Sequence, residues 1–166
     1  MTMKLNLTLI AAILLGVTVV GTAGFVSIGA ITHRMDIPTF IASWNTPQIL
    51  VSNLAQGKLK PVLLIDVRSP EEFALDRIGR SQLVPLTEIE SGSGISQVQK
   101  IAQQYEKKHQ TQPTIVLYCT SGMRSTKAYK QLAGTGLKLV VLTGGIEAWR
   151  RDIPAVKDAG IFAKVE

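Results

Sequence analysis

Thr114-Ile-Val-Leu-Tyr-Cys119-Thr-Ser-Gly-Met-Arg-Ser125 carries the decisive transition in this chain. Its first half is a continuous apolar run, the mark of a strand buried on both faces of a parallel sheet. Its second half is small and polar, and helical spacing then runs from Ser125 to Ala133, ended by Gly134 or Gly136. A strand that gives way to a helix presents the carboxyl edge of the sheet, where open α/β sheets bind ligands. Backbone N–H groups at the helix N-terminus form an anion cradle, and the helix dipole adds positive potential. A thiol in such a place is favoured as the thiolate, its nucleophilic form. Cys119 is therefore a candidate nucleophile. Gly122 permits a turn that other residues resist. Arg124 can lend charge to the thiolate or to an anionic substrate. A lone cysteine reads equally well as a buried structural residue. The Gly- and hydroxyl-rich turn with its arginine favours the nucleophile.

Two further apolar runs, Pro61-Val-Leu-Leu-Ile-Asp-Val67 and Leu137-Lys-Leu-Val-Val-Leu142, read as buried strands of the same kind. Thr46-Pro47 reads as an N-cap followed by proline at the first helical position, with Ile49, Leu50, Leu54 and Ala55 at helical spacing and Gly57 as the stop. Ser69-Pro70-Glu71-Glu72 opens a short helix with an acidic front. A short strand is expected at Leu83–Leu86 and a flexible break at Gly92-Ser93-Gly94. A helix is expected over Ile95–His109, with Val98, Ile101, Ala102 and Tyr105 on one face and His109 as a solvated cation at its end. Gly144-Gly145 leads into a short helix through a core Trp149. Strands alternating with helices argue for an α/β layer fold with a mainly parallel central sheet flanked by helices. No internal repeat is visible.

The chain has 166 residues, of which 46% are apolar, enough for one ordinary domain and an appendage. Leu5 to Thr32 contains no Asp, Glu, Lys, Arg or His. As a helix rising ~1.5 Å per residue it is long enough to cross the ~30 Å hydrocarbon core. Its glycines, Gly16, Gly21, Gly24 and Gly29, suit a membrane span better than a helix in water. Residues 1–34 are thus expected to be one hydrophobic helix that anchors a single-pass protein. The alternative is a cleaved signal peptide, with Lys4 as its basic start and Gly21-Thr22-Ala23 as a small-x-small cleavage site. Lys4 and the α-amine precede the stretch and Arg34 follows it, a one-charge margin for a cytoplasmic N-terminus and a main domain outside the cytoplasm. Residues 35–45 read as a linker, with Trp44 a candidate interfacial anchor, residues 46–156 as the domain, and 157–166 as a tail. One cysteine excludes an intramolecular disulfide, and with two distant histidines it offers no zinc constellation, so no metal is expected. The pI near 9.6 comes from dispersed Lys and Arg, and aromatics are only 5% of the chain, a pattern that argues against nucleic acid as partner. Attraction to anionic lipid accounts for the basic excess equally well.

Three motifs in order resemble one family. Cys119-x-x-Gly122-x-Arg124 resembles the active-site loop of single-domain rhodaneses, which are sulfurtransferases. Asp66-Val-Arg-Ser-Pro-Glu-Glu-Phe73 is similar to the signature that follows the family's first buried strand, and Leu142-Thr-Gly-Gly145 with Trp149 resembles its C-terminal signature. Together they cover Thr46 to Pro154. Where the family carries His-Ile-x-Gly-Ala, this chain has Arg77-Ile-Gly-Arg-Ser81, which leaves the conformation of that loop open. The resemblance implies a rhodanese-like three-layer fold and a transfer of sulfane sulfur through a persulfide on Cys119. The donor would be a small molecule such as thiosulfate and the acceptor a small or protein thiol, or cyanide. No cofactor is implied. Backbone N–H groups from Thr120 to Ser125, and the hydroxyls of Thr120, Ser121 and Ser125, would hold the sulfur, with Met123 completing the loop. Asp66 and Arg68 lie at the ligand edge, either supporting the loop or pairing with each other or with Glu72. Rhodanese-like phosphatases and arsenate reductases have a similar loop with one residue more between Cys and Arg, so the tighter loop here favours sulfur over a tetrahedral oxyanion. A tethered sulfur-relay or binding module with little turnover is the other reading.

Overall fold

A computed structural model describes residues 43–153 together with Thr39 and Ile41. In chain order the elements are β1 (Gln48–Ile49), α1 (Val51–Ala55), β2 (Val62–Asp66), α2 (Pro70–Leu75), β3 (Gln82–Leu83) and α3 (Leu86–Glu90). They continue with α4 (Ser93–His109), β4 (Thr114–Tyr118), α5 (Met123–Leu132), β5 (Lys138–Leu142) and α6 (Gly145–Asp152). The strands form one sheet in the order β1-β5-β4-β2-β3, and every pairing is parallel. The three expected apolar runs are its centre: Leu64 of β2 lies opposite Val116 of β4, which lies opposite Val140 of β5.

Side chains alternate along a strand, so an unbroken apolar run can be stable only if both faces are covered. Leu63, Ile65, Ile115, Leu117 and Leu139 point to one face, where Leu86 and Ile89 of α3, Val98 and Ala102 of α4, and Ala128 and Leu132 of α5 bury them. Leu64, Val116, Tyr118 and Leu142 point to the other, under Val51 and Leu54 of α1 and Ile146, Ala148 and Trp149 of α6. Trp149 is fully buried, as its place after the Gly144-Gly145 turn suggests. This is a three-layer α/β fold, and it brings the carboxyl ends of β2 and β4 side by side.

Four local expectations need correction. Thr46-Pro47 does not start a helix. The Pro47 carbonyl accepts from Val141 N–H at 2.9 Å and the Ile49 carbonyl from Thr143 N–H at 3.0 Å, so this stretch pairs as an edge strand, where proline's missing donor does no harm. The helix begins only at Val51. At Leu83–Leu86 the strand ends after Leu83. Val84 N–H and Leu86 N–H still bond to the Asp66 and Val67 carbonyls, but Pro85 between them caps α3 instead. Gly92-Ser93-Gly94 is no break either: Gly92 is the N-cap of α4, and the Ser91 and Ser93 hydroxyls donate to the Glu88 carbonyl. His109 does end α4, yet its ring lies 4.3 Å from that of Tyr105 rather than free in solvent. Residues 1–38, with the expected hydrophobic helix, and residues 154–166 lie outside the described residues. Among the described residues no helix is long and apolar enough to cross a membrane. Trp44 is exposed at 54%.

The departure at Arg77–Ser81 has its own packing. Ile78 is fully buried, its N–H donates to the Tyr118 hydroxyl at 3.1 Å, and the Ser81 hydroxyl bonds the same phenol at 2.7 Å. Burial, with the charge of Asp66, pushes the Tyr118 phenol well above its ordinary pKa, so it stays a neutral partner at physiological pH. Tyr118→Phe strips a buried N–H and a buried hydroxyl of their partner. The expected loss is about 1–3 kcal/mol, read as a lower urea midpoint at an unchanged slope.

Candidate active site

β4 ends at Tyr118, and α6 governs the path of the next two residues. The Cys119 carbonyl accepts from Ile146 N–H at 2.8 Å and the Thr120 carbonyl from Glu147 N–H at 3.2 Å. Such close contact requires Gly145, which has φ of +57°. A Cβ there would stand 2.3 Å from the Cys119 oxygen and 2.4 Å from that of Thr120. Because a trans peptide sets its N–H opposite its C=O, the Thr120 and Ser121 N–H groups are turned away from α6. The chain then reverses at Gly122, whose φ of +123° excludes most side chains. Gly122 is the N-cap of α5, its N–H donates to Cys119 Sγ at 3.1 Å, and its carbonyl accepts from the Ser125 and Thr126 hydroxyls at 3.0 and 2.9 Å.

Cys119 lies at the floor of this loop, 1% exposed. Ser125 Oγ is 3.6 Å from its sulfur, so one short hydroxyl rotation converts Ser125 from acceptor of the thiol proton to donor toward the thiolate. The first-turn N–H groups of α5 have no intrahelical acceptor and add their dipoles at the same place. The loop therefore aims N–H and hydroxyl dipoles at the sulfur. Ser121 and Met123 are half-buried on its rim. Among the described residues no cluster of His, Cys, Asp and Glu converges on a metal site.

Arg124 and Thr120 take roles other than those expected. The Arg124 guanidinium forks onto Glu72 of α2, with Nη1 2.6 Å from Oε2 and Nη2 2.7 Å from Oε1, and Nη2 also donates to Thr120 Oγ1 at 2.7 Å. The Thr120 hydroxyl donates in turn to Glu72 Oε1 at 3.1 Å, so it serves the carboxylate and not the sulfur. Glu72 is held from its own side too, since Oε2 accepts from Ser69 N–H at 3.0 Å in a capping box. The Arg124 hydrogen bonds, against a smaller opposing effect of burial, bring the Glu72 carboxyl down to about 2. The same bonds raise Arg124. Sequence reasoning treats Glu72 as the acidic front of a helix and as a possible partner of Asp66 or Arg68, not as the partner of Arg124. The capping-box spacing from Ser69 is the signal that its carboxylate turns back toward the sheet edge.

Asp66 and Arg68 do not reach into the loop; they pair with each other. Arg68 Nη2 and Nε contact Asp66 Oδ2 at 2.7 and 3.0 Å, with both side chains buried. Burial is the largest single influence and opposes the Arg68 charge, but the hydrogen bonds and charge of Asp66, with the charges of Tyr118 and Glu72, together outweigh it and its pKa rises. Arg68 forms part of the wall of a cleft of about 240 Å³ beside the loop, with Arg124, Thr87 and Glu88 also lining it.

Residues 46–152 match the family model of the Rhodanese-like domain. The chain belongs to the rhodanese-like family. It is 34% identical over 109 residues to the probable adenylyltransferase/sulfurtransferase MoeZ of Mycobacterium tuberculosis, covering 65% of this chain and 24% of that protein. It is also 35% identical over 79 residues to a putative mitochondrial thiosulfate sulfurtransferase of Schizosaccharomyces pombe, covering 48% of this chain and 56% of the relative. The match thus spans about a quarter of the first relative and just over half of the second. Among solved structures, a yeast protein tyrosine phosphatase of the Rhodanese family superposes with a TM-score of 0.55 at 15% identity, covering 69% of this chain and 90% of that one. That likeness shows the shared rhodanese-like fold.

Two outcomes are expected from this geometry. Gly145→Ala forces a methyl into the Cys119 and Thr120 carbonyls at a positive φ, so it should cost about 1–3 kcal/mol of stability. It should also shift the amide resonances of residues 119–125, seen by 1H–15N correlation spectra. The depressed folded-state value of Glu72 means that its pairing with Arg124 contributes fully above its ordinary value of 4.5 and is lost as pH falls through about 2. A carboxyl 13C titration should give a Glu72 midpoint near 2, and Arg124→Met should return it toward 4.5. A wild-type midpoint at the ordinary value would contradict the pairing.

Proposed function

We propose that the chain is a sulfurtransferase that carries sulfane sulfur as a persulfide on Cys119. The observation that carries this reading is the Cys119 sulfur, buried at the floor of a loop and facing the Gly122 N–H at the start of α5. The thiolate attacks the outer sulfur of a donor such as thiosulfate. A new S–S bond forms at Sγ, the donor's S–S bond breaks, and sulfite leaves with its electron pair. The product, Cys119-S–S⁻, carries the same single charge as the thiolate, so dipoles set for one serve the other. A small or protein thiol, or cyanide, then takes the outer sulfur and regenerates the thiolate. The printed names of MoeZ and of the Schizosaccharomyces pombe relative, both sulfurtransferases, support this direction.

A phosphatase reading is the less favoured one, despite the fold shared with a yeast tyrosine phosphatase. Holding a tetrahedral oxyanion needs donors from the loop arginine, and the Arg124 fork is turned onto Glu72, with Nη2 also on Thr120. The uncharged stretch Leu5–Thr32 supports a membrane-tethered form of the enzyme, with a cytoplasmic N-terminus and the rhodanese-like domain on the other side.

Treatment with thiosulfate should add about 32 Da, one sulfur atom, to the intact protein, and Cys119→Ser should abolish both that adduct and thiocyanate formation while leaving the fold unchanged. Undiminished thiocyanate formation by Cys119→Ser would end the proposal. Phosphate-ester hydrolysis that depends on Cys119, without a persulfide, would move the assignment to the phosphatases.

A further inference from the structure

We infer that the open outer edge of β2 is a docking site for an extended acidic segment of a partner protein, which adds to the sheet as a strand. The inference is independent of the sulfur-transfer reading and concerns the end of the sheet opposite Cys119.

The edge is open because β3 is short. β4 pairs with all of β2, from Val62 to Asp66, whereas β3 pairs only with Ile65 and Asp66. The Pro61 carbonyl and the Val67 N–H both bond toward β4, while the Asp66 carbonyl accepts from Val84 N–H on the β3 side. Peptide groups alternate in direction along a strand, so those of Val62 and Leu64 turn outward with those of Asp66. Gln82, the first residue of β3, lies level with Ile65. The Val62 N–H and C=O and the Leu64 N–H therefore have no neighbouring strand among the described residues. Such a row of backbone groups is a template for a further strand.

A cavity of about 410 Å³ lies along this stretch, between Val62–Leu64 and the second half of α4. Ile101 and Tyr105 give it an apolar wall, Arg80, Lys108 and His109 supply its ionisable groups, and no Asp or Glu lines it. Cations beside an edge decide which strand can enter. A second copy of this chain would set Arg80 and Lys108 against their own counterparts, and the whole chain carries a net charge of +6. An acidic segment instead meets the cations while its backbone takes the outward N–H and C=O groups. Every second side chain of a strand points to the same face, so alternate Asp or Glu residues would all reach the α4 side. Val62–Leu64 lie level with Thr114–Val116 at the start of β4, and Cys119 follows the other end of that strand. A partner docked here leaves the Cys119 loop uncovered.

The test titrates the 15N-labelled full chain with a blocked hexapeptide of alternating valine and glutamate, read by 1H–15N correlation spectra and hydrogen exchange. The Val62 and Leu64 amide resonances should shift, and exchange at the Leu64 N–H should slow about tenfold with peptide at about ten times its Kd. Lys108→Gln and Arg80→Gln should each weaken binding about twofold to fivefold, and added salt should weaken binding to the wild type. Two control peptides decide the mode. One carries lysine in place of glutamate, and the other keeps glutamate but has every backbone nitrogen methylated. Neither should protect the Leu64 N–H. Absence of a shift at Val62 and Leu64, or a methylated peptide that binds as tightly as its parent, overturns strand addition. A lysine peptide that binds as well as the glutamate one, or unchanged affinity in both variants, overturns the acidic partner.

Discussion

The contact between the first turn of α6 and the peptide carbonyls of Cys119 and Thr120 is the constraint on which the site depends. A strand end is otherwise free to continue or to fray. Here two backbone hydrogen bonds and the bare face of Gly145 fix the orientation of two successive peptide planes. Once the carbonyls are bound on the α6 side, the loop presents N–H groups on the other, and Gly122 can close the turn over Cys119 Sγ. The buried sheet makes this possible. Covered on both faces, it holds β4 and β5 in register, so that the chain leaving β5 returns beside the end of β4. Packing thus becomes electrostatics, since helix layers that hide apolar strands also deliver the dipoles that point at the sulfur.

Around that loop the ionic groups are arranged in closed pairs. Asp66 and Arg68 are buried and fully engaged with one another, an arrangement stable only while both partners are present. Arg124 and Glu72 are half-exposed, tie α2 to the active loop, and engage Thr120 between them.

The departure from the family pattern at Arg77–Ser81 illustrates how local sequence changes are absorbed. Ser81 supplies a hydroxyl to the Tyr118 phenol, and Arg77 lays its guanidinium over the Phe73 ring at 4.9 Å. Both contacts lie between the segment after α2 and the elements next to the loop. Neither touches Cys119, which is why the substitution leaves the nucleophile's surroundings intact.

Much of this is legible from residues alone. Three uninterrupted apolar runs dictate a sheet covered on both sides, and the strand-to-helix turn at Cys119 dictates where its chemistry lies, because both are local consequences of patterning and of helix termini. Edge pairing escapes such a reading. Thr46-Pro47 carries helix-start chemistry, yet the exposed edge of β5 supplies hydrogen bonds that outweigh it, and Pro85 ends a strand that the apolar pattern alone would extend. The destination of Arg124 escapes it as well. A guanidinium reaches whatever carboxylate the fold brings near, and Glu72 is distant in sequence, adjacent only because β2 and β4 are neighbours in the sheet. The sequence by itself singled out Cys119 as the candidate nucleophile and determined the layered architecture and the edge of the sheet that carries the candidate site. Only the tertiary structure decided which charges remain available there, because pairing between distant side chains depends on strand order and register, which no local pattern encodes.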